Sequence, residues 1–227
     1  DTSAYDPQEK EKVEVDPFDP DDGGEEPEPE DGVLVPGIHR IKLQVKASDG
    51  SITERYFKYY MPVSINTAIP ISLIFEFHGS WSFNPGEVPP GPIENIPMSN
   101  ALIQHALKYN CIIVFPAGSV VGGSESASVA WSDTEKNLLF FDGMIAFFNR
   151  SVPRIDPNRI FSTGQSSGAI FSFALGFHRS AVVAAIAPRA GQMKITNQPV
   201  LPERAMPVRV FAGVNDDIVQ HSAVLSN

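Results

Sequence analysis

A glycine-framed serine between a predicted strand and a predicted helix constrains this chain more than any other feature. The apolar run Ile160–Thr163 predicts a strand, Ala169–Phe177 has a helical pattern, and Gly164–Gly168 (GQSSG) joins the two. A strand that turns this sharply into a helix strains its central residue. It also crowds the positions two before and two after that residue, so only very small side chains fit there. We therefore expect the Ser166 hydroxyl at the tip of the turn, beside the unpaired N–H groups of the helix N-terminus.

The acidity of the chain is concentrated at its N-terminal end. Of the 27 Asp and Glu side chains, 14 lie in residues 1–32 beside two lysines, which leaves 13 acidic and 15 basic side chains elsewhere. Residues 1–32 are also rich in Pro and Gly and poor in large apolar residues. This composition predicts a disordered linker over residues 1–32 and a single domain over residues 33–227. Residues 33–227 contain no basic cluster, so we expect no nucleic-acid partner.

Several other classes of protein are disfavoured by what the sequence contains. No run of 18 or more apolar residues occurs, so we expect no membrane span. Cys111 is the only cysteine and lies in an apolar run, where a small buried hydrophobe is expected and no internal disulfide can form. No group of His, Cys and carboxylate side chains has the spacing of metal ligands, so we expect neither a metal nor another cofactor.

Short apolar segments alternate with helical segments through the predicted domain. The predicted strands are Ile38–Lys46, Thr53–Tyr60, Ile71–Phe77, Cys111–Phe115, Ile160–Thr163, Val182–Ala187 and Val208–Ala212, and the predicted helices are Met98–Tyr109, Asn137–Arg150 and Ala169–Phe177. The first two strands form a hairpin around Asp49-Gly50, while Asp156–Asn158 is a predicted turn. Residues 119–136 are predicted to be a long irregular loop that carries Trp131. The order indicates an α/β class with a mostly parallel sheet covered by helices on both faces.

A serine in such a turn suggests acyl chemistry, and that chemistry needs two backbone N–H donors for an oxyanion. The residue after the serine, Ser167, supplies one donor at the helix N-terminus. The second is expected in the loop after an earlier strand, where Gly79 permits a close approach and the N–H of Ser80 or Trp81 follows. His78 precedes the serine in the chain, so we expect it to support this loop rather than to act as a base.

The remaining partner of such a serine is an acid at the end of a later strand. In the chain order that this chemistry requires, nucleophile, acid and histidine follow one another. Asp216 and Asp217 both lie just after the predicted strand Val208–Ala212 and leave two choices. His221 is the only histidine that follows them, and a spacing of five residues from Asp216 is too short to return an imidazole to Ser166.

The chain resembles the polyhydroxybutyrate-depolymerase and feruloyl-esterase group of α/β-hydrolases, which also contains acetylxylan esterases. The matching segments are SITERYFKYYMP from Ser51, ISLIFEFHGS from Ile71, IVFPAG from Ile113, Asn137–Met144, IDPNRI from Ile155, TGQSSG from Thr163, AAIAPRAG from Ala184 and GVNDDIV from Gly213. The resemblance implies an α/β-hydrolase fold, with Ser166 as nucleophile, Asp216 rather than Asp217 as acid, and an oxyanion donor near Ser80.

The resemblance also implies an activity and its substrates. It indicates a serine carboxylesterase that acts on plant cell-wall polysaccharide esters, feruloylated or acetylated xylan, through an acyl-enzyme. The alternatives are a polyester depolymerase and a non-catalytic carbohydrate-binding or scaffold relative. The histidine of the family lies some tens of residues beyond the acid, so we expect this chain to be truncated at its C-terminus, with the base beyond Asn227. As it stands, the chain is expected to hydrolyse esters very weakly.

Two further expectations concern the substrate and the place where the protein acts. Trp81 and Trp131 are candidates for an aromatic wall that binds a feruloyl or sugar group, although ordinary loop packing explains them equally well. The acidic segment 1–32 looks like the leaders of lipid-anchored surface proteins of Bacteroidetes. This similarity favours an extracellular or cell-surface bacterial protein, with a polysaccharide or polyester as substrate and a lipid-anchored tether as a candidate attachment.

Overall fold

The computed structural model describes residues 35–82, 96–123, 126–152, 154–193 and 201–225. The predicted linker over residues 1–32 lies outside the described residues. The strands are β1 (Gly37–Lys46), β2 (Ile52–Met61), β3 (Ile71–Phe77), β4 (Trp81–Ser82), β5 (Cys111–Pro116), β6 (Ser119–Gly123), β7 (Ser126–Ala130), β8 (Ile155–Gln165) and β9 (Ala185–Arg189). The helices are α1 (Asn100–Lys108), α2 (Thr134–Ser151), α3 (Ser167–His178) and α4 (His221–Leu225).

Six of these strands form one mixed sheet in the order β1-β2-β5-β3-β8-β9. The hairpin of β1 and β2 is antiparallel, and β2 pairs antiparallel with β5, whereas β5, β3, β8 and β9 are parallel to one another. Gly50 has a φ of +82° in the turn of the hairpin, a conformation that glycine adopts without strain. The predicted α/β class and the mostly parallel sheet are thus confirmed.

The central strands β3 and β5 are rich in apolar residues because both faces of the sheet are covered. In β3, Leu73 and Phe75 belong to the larger core, which also receives the apolar faces of α2 and α3. Ile74, between them in sequence, packs on the opposite face against the smaller core that Ala106 of α1 helps to form. The period-2 alternation of a strand therefore places successive side chains in two cores.

The irregular loop predicted over residues 119–136 is instead mostly regular structure in its described residues, 119–123 and 126–136, so that prediction is wrong. Strands β6 and β7 form an antiparallel hairpin in which Val120 pairs with Val129, and Trp81 of β4 pairs with Val129 on the other side. The last residues of the segment already belong to α2, which Asp133 caps by accepting a hydrogen bond from the Lys136 N–H at 3.1 Å. The sequence did not indicate this three-stranded pairing because β4, the strand that pairs with β7, is only two residues long.

Three other predicted boundaries shift in the structure. The predicted turn at Asp156–Asn158 lies within β8, as an irregularity in its pairing with β3. The predicted strand Val182–Ala187 begins later, at Ala185, because the chain is still turning out of α3. The predicted strand Val208–Ala212 is reduced to two parallel bridges beside β9, Val208 with Ile186 and Phe211 with Arg189.

Candidate functional site

Four segments that follow parallel strands meet at one edge of the sheet. They are His78–Ser80 after β3, Ala117-Gly118 after β5, Ser166 after β8 and Ala190-Gly191 after β9. Because parallel strands all point the same way, their carboxyl ends share an edge. This edge of an open α/β sheet is where ligands generally bind.

Ser166 occupies a strained turn between β8 and α3. Its φ of 51° and ψ of −117° lie outside the regions that serine ordinarily adopts. Its N–H donates to the Arg189 carbonyl at 3.0 Å, and its own carbonyl accepts from the Ile170 N–H at 3.1 Å. The neighbouring strand and the first turn of α3 therefore hold the strained conformation from both sides, with the side chain half-buried at the tip.

The glycines on either side of Ser166 are required by the packing of the turn. A Cβ on Gly168 would overlap the Phe77 carbonyl oxygen and lie 2.5 Å from that of His78. A Cβ on Gly164 would overlap the carbonyl oxygen of Gly168 and lie 2.9 Å from that of Phe77. These contacts involve backbone atoms, which cannot move aside, so the crowding predicted from the sequence is present.

The loop after β3 lies directly against this turn. A Cβ on Gly79 would be 3.5 Å from both the Ser166 Cβ and the Gln165 carbonyl oxygen. Ser80 follows and is exposed. Ser167 is the first residue of α3, so its N–H has no partner within the helix. The structure thus brings the Ser166 turn, the Ser167 N–H and the Gly79-Ser80 peptide to one place.

His78 is buried under this loop, and both of its ring nitrogens are occupied. The Gly118 N–H donates to Nε2 at 2.8 Å, so Nε2 carries no proton. Nδ1 lies 2.7 Å from the Gly79 carbonyl oxygen, which can only accept, so Nδ1 carries the proton and donates. Burial lowers the pKa of His78 to about 4, with a smaller contribution from the Arg55 charge, although the bond to Gly79 opposes it. A neutral histidine with this tautomer holds the loop.

The burial of neutral His78 predicts a specific dependence of stability on pH. Its pKa is depressed in the folded state, so its contribution to stability is present above pH 6.5 and lost as the pH falls towards 4. We expect the unfolding free energy of the wild type, relative to His78→Gln, to fall by about 2–3 kcal/mol between pH 7 and pH 4. Urea unfolding of both proteins at each pH measures this difference. A difference that stays constant over this range would show that His78 charges freely in the folded state.

Trp131 was one of two candidates for an aromatic wall, but it is a core residue. Its side chain is 4% exposed, stacks on Phe171 and meets Phe77 edge to face. Its Nε1 donates to the His78 carbonyl at 2.9 Å. Trp131 therefore supports the loop after β3 from within and offers no ring face to a substrate. Trp81 is half-buried with its ring 4.2 Å from that of His78, and stays a candidate for the wall.

Asp216 follows the segment that pairs with the carboxyl end of β9. It is half-buried, and its Oδ1 accepts from the N–H groups of Ile218 at 3.0 Å and Val219 at 2.8 Å. These bonds fix the orientation of the carboxylate and involve Oδ1 rather than Oδ2. Asp217 is exposed. The local geometry thus favours Asp216 of the two as an oriented acid.

The histidines other than His78 lie apart from the turn or lack a bond to it. His39 stacks on Tyr59 in the hairpin at the opposite edge of the sheet, and His105 lies in α1 beside the ring of Tyr109. His178 ends α3, roughly 18 Å along the helix from Ser166. His221 begins α4, and among the described residues no hydrogen bond joins it to Ser166 or Asp216.

Two buried charged residues near the site were not predicted from the sequence. Glu76 is buried in β3 and pairs with Arg189, whose carbonyl receives the Ser166 N–H. Burial raises the pKa of Glu76, and the Arg189 charge opposes that rise. Arg55 is buried in β2 near His78. A charged residue inside the apolar run of β3 is the signal that would have identified Glu76. Arg55 gives no such signal, because β2 also contains Glu54 and Lys58.

The described residues include no group of His, Cys, Asp and Glu side chains arranged to hold a metal ion. None of the described helices is both long enough and apolar enough to cross a membrane.

Comparison with known proteins gives a consistent result at the level of structure. No family model matches the sequence, and no curated protein matches it. Among solved structures, a thermostable esterase has a TM-score of 0.57 at 17% identity, over 82% of this chain and 49% of that one. A ferulic acid esterase from the anaerobic fungus Anaeromyces mucronatus has a TM-score of 0.57 at 15% identity, over 87% and 78%.

A third structure, the acetyl xylan esterase from Aspergillus awamori, has a TM-score of 0.58 at 14% identity, over 82% and 76% of the two chains. The chain has an α/β-hydrolase fold. It spans about half the length of the thermostable esterase. The α/β-hydrolase fold predicted from the sequence is confirmed.

Proposed function

We propose that this protein is a serine carboxylesterase that cleaves plant cell-wall polysaccharide esters, with feruloylated or acetylated xylan as substrate. The observation that carries the proposal is Ser166, held at a φ of 51° between β8 and α3 with the Gly79 loop against it. A ferulic acid esterase and an acetyl xylan esterase among the structural neighbours favour these two acyl groups. Because such substrates lie outside the cell, the protein is proposed to act at the cell surface or as an extracellular protein.

In the proposed reaction, the Ser166 Oγ attacks the ester carbonyl carbon and its proton passes to an imidazole base. The carbonyl π electrons move to oxygen, and the resulting oxyanion is held by the N–H groups of Ser167 and Ser80. Collapse expels the alcohol, which takes up the proton, and leaves an acyl-enzyme. Water then attacks the acyl group by the same route and restores Ser166. Asp216 orients the imidazole through its unused Oδ2.

We further propose that the base is none of the five histidines in the sequence. His78 is buried with both nitrogens engaged, and His221 has no hydrogen bond to Ser166 or Asp216 within the described residues. Because the members of such a triad act as a unit, the 227-residue chain alone is expected to hydrolyse esters slowly. A non-catalytic polysaccharide-binding protein is the second candidate, and the same absence of a bonded imidazole favours it.

The test compares the wild type with Ser166→Ala on p-nitrophenyl acetate and methyl ferulate, with and without added imidazole. We expect the wild-type rate to exceed that of Ser166→Ala by at least about tenfold once imidazole is present, because the small base replaces the missing one. Mass spectrometry should show an acyl group on the tryptic peptide that contains Ser166. Ser64→Ala, which removes an exposed hydroxyl far from the turn, is the matched control and should keep the wild-type rate.

Equal rates for the wild type and Ser166→Ala under every condition, with no acyl-enzyme, would overturn the esterase proposal. Retained binding of xylan in a pull-down under those conditions would instead support the non-catalytic candidate. Hydrolysis of a polyhydroxybutyrate film in preference to methyl ferulate would replace the polysaccharide ester by a polyester as substrate.

A further inference from the structure

Arg55 is a buried cation with no carboxylate within ion-pair distance among the described residues. Its side chain is 6% exposed, and its guanidinium carbon lies 4.3 Å from the centre of the Phe140 ring. Nη2 donates to the Ala117 carbonyl and to Asn137 Oδ1, both at 3.0 Å. Burial lowers the pKa of Arg55 to about 10, which still leaves it charged at neutral pH. The charge of Asp133 opposes this lowering but forms no ion pair with Arg55 among the described residues. A buried charge without such a pair is costly, so its position calls for an explanation.

The Ala117 carbonyl that accepts from Arg55 belongs to the same peptide group as the Gly118 N–H. That N–H donates to Nε2 of His78 at 2.8 Å. The close approach depends on glycine, because a Cβ on Gly118 would lie 2.9 Å from His78 Cε1 and 2.8 Å from the Ala130 carbonyl oxygen. Arg55 and His78 are therefore joined through a single planar peptide group.

The same construction is repeated on the other side of the His78 ring. Nδ1 donates to the Gly79 carbonyl at 2.7 Å, and that carbonyl shares a planar peptide group with the Ser80 N–H. In a trans peptide the C=O and N–H bonds point in opposite directions. With the Gly79 oxygen turned to buried His78, the Ser80 N–H points away from that ring, and Gly79 itself lies against the Ser166 turn, where a Cβ on it would be 3.5 Å from the Ser166 Cβ. Trp131 fixes the preceding peptide by donating to the His78 carbonyl.

We propose that Arg55 and His78 are positioning residues that orient and polarise the Ser80 N–H as an oxyanion donor through this series of hydrogen bonds. Every donor in the series points from Arg55 towards Ser80. The charge at its start therefore strengthens each later donor, since hydrogen bonds aligned in a chain polarise one another. The identity of the anion that Ser80 meets rests on the proposed esterase function, whereas the series of bonds does not.

The first test needs neither a variant nor a substrate. In the ¹⁵N NMR spectrum of the wild type at pH 7, His78 should show a protonated Nδ1 and an unprotonated Nε2 that accepts a hydrogen bond. The opposite tautomer, or a charged ring, would break the series at its centre and overturn the proposal.

The second test replaces Arg55 by methionine, which keeps the length and most of the apolar volume of the side chain but removes the charge and the donors. The Ser80 amide proton should shift upfield, as expected for a weaker donor. The value of kcat for Ser166-dependent hydrolysis should fall about tenfold while KM changes less than about twofold, because an oxyanion donor acts mainly on the transition state. Arg55→Lys keeps the charge, so its Ser80 amide shift and its kcat should lie between those of the wild type and Arg55→Met. It replaces Arg55→Met in the test if that variant does not fold.

The matched control is Arg179→Met, which removes an arginine paired with Asp142 between α3 and α2. It should leave the Ser80 amide and the kcat-to-KM pattern as in the wild type. If the Arg55 variants also leave both unchanged, the proposal is wrong although the esterase stands. If the wild type shows no Ser166-dependent hydrolysis but the Ser80 amide responds to Arg55, the esterase fails and the series of bonds stands.

Discussion

Gly168→Ala is expected to lower the free energy of unfolding by about 3 kcal/mol or more, the upper range for an overpacked site. The added methyl group would overlap the Phe77 carbonyl oxygen and lie 2.5 Å from the carbonyl oxygen of His78. Both oxygens belong to the end of β3, in the middle of the sheet. Relief therefore requires α3 to move away from β3, which would open the core contact between Phe171 and Phe77.

The matched control for this substitution is Gly143→Ala in α2. There the new Cβ would meet only the Leu43 Cδ1, at 3.4 Å, and the φ of Gly143 is not positive. Alanine is favoured over glycine in a helix by about 1 kcal/mol, so this variant should be as stable as the wild type or slightly more so. Urea unfolding monitored by circular dichroism measures both variants. Similar unfolding free energies for the two variants would contradict the crowding that the structure shows at the Ser166 turn.

Gly168→Ala should also disturb the proposed site. The new methyl group would displace the carbonyl of His78, which directly precedes the Gly79-Ser80 peptide. The loop after β3 and the Ser166 turn are thus packed against each other mainly through backbone atoms. This explains why the sequence was informative here: crowding between backbone atoms admits very few residue types. The pattern of Gly164 and Gly168 around a serine could therefore be interpreted without knowing the rest of the fold.

Other parts of the site depend on pairings between distant segments, and these the sequence did not reveal. The side of β2 to which Arg55 points, and the acceptors it finds there, follow from the pairing of β2 with β5. Likewise, the burial of Trp131 depends on a hairpin whose pairing includes a two-residue strand. A tryptophan in a segment without clear periodicity suits a binding surface and a core equally well, and only the neighbouring rings decide between them.

This distinction leads to the second large effect, which is expected for Trp131→Ala. If Trp131 belongs to the core, its truncation should lower the unfolding free energy by about 3–5 kcal/mol, as for other large aromatic side chains in cores. Its ring is 4% exposed and packs between Phe171 and Phe77, so the cavity would open directly under the loop after β3. A residue of a substrate wall would instead leave stability almost unchanged and weaken binding alone.

Trp81→Ala is the matched control, because Trp81 is also a tryptophan beside His78 but is only half-buried. We expect it to cost about 1 kcal/mol, in proportion to the smaller apolar area that it buries. A loss of stability for Trp81→Ala as large as that for Trp131→Ala would contradict the assignment of Trp131 alone to the core.

Trp131→Phe separates the two contributions of this side chain. The ring that stacks on Phe171 is largely kept, but the His78 carbonyl loses the donor that Nε1 provides at 2.9 Å. An unpaired buried carbonyl costs about 1–3 kcal/mol, so this variant should lie between the wild type and Trp131→Ala in stability. The freed His78-Gly79 peptide should also let the Ser80 N–H reorient. The Ser80 amide resonance should then move in Trp131→Phe.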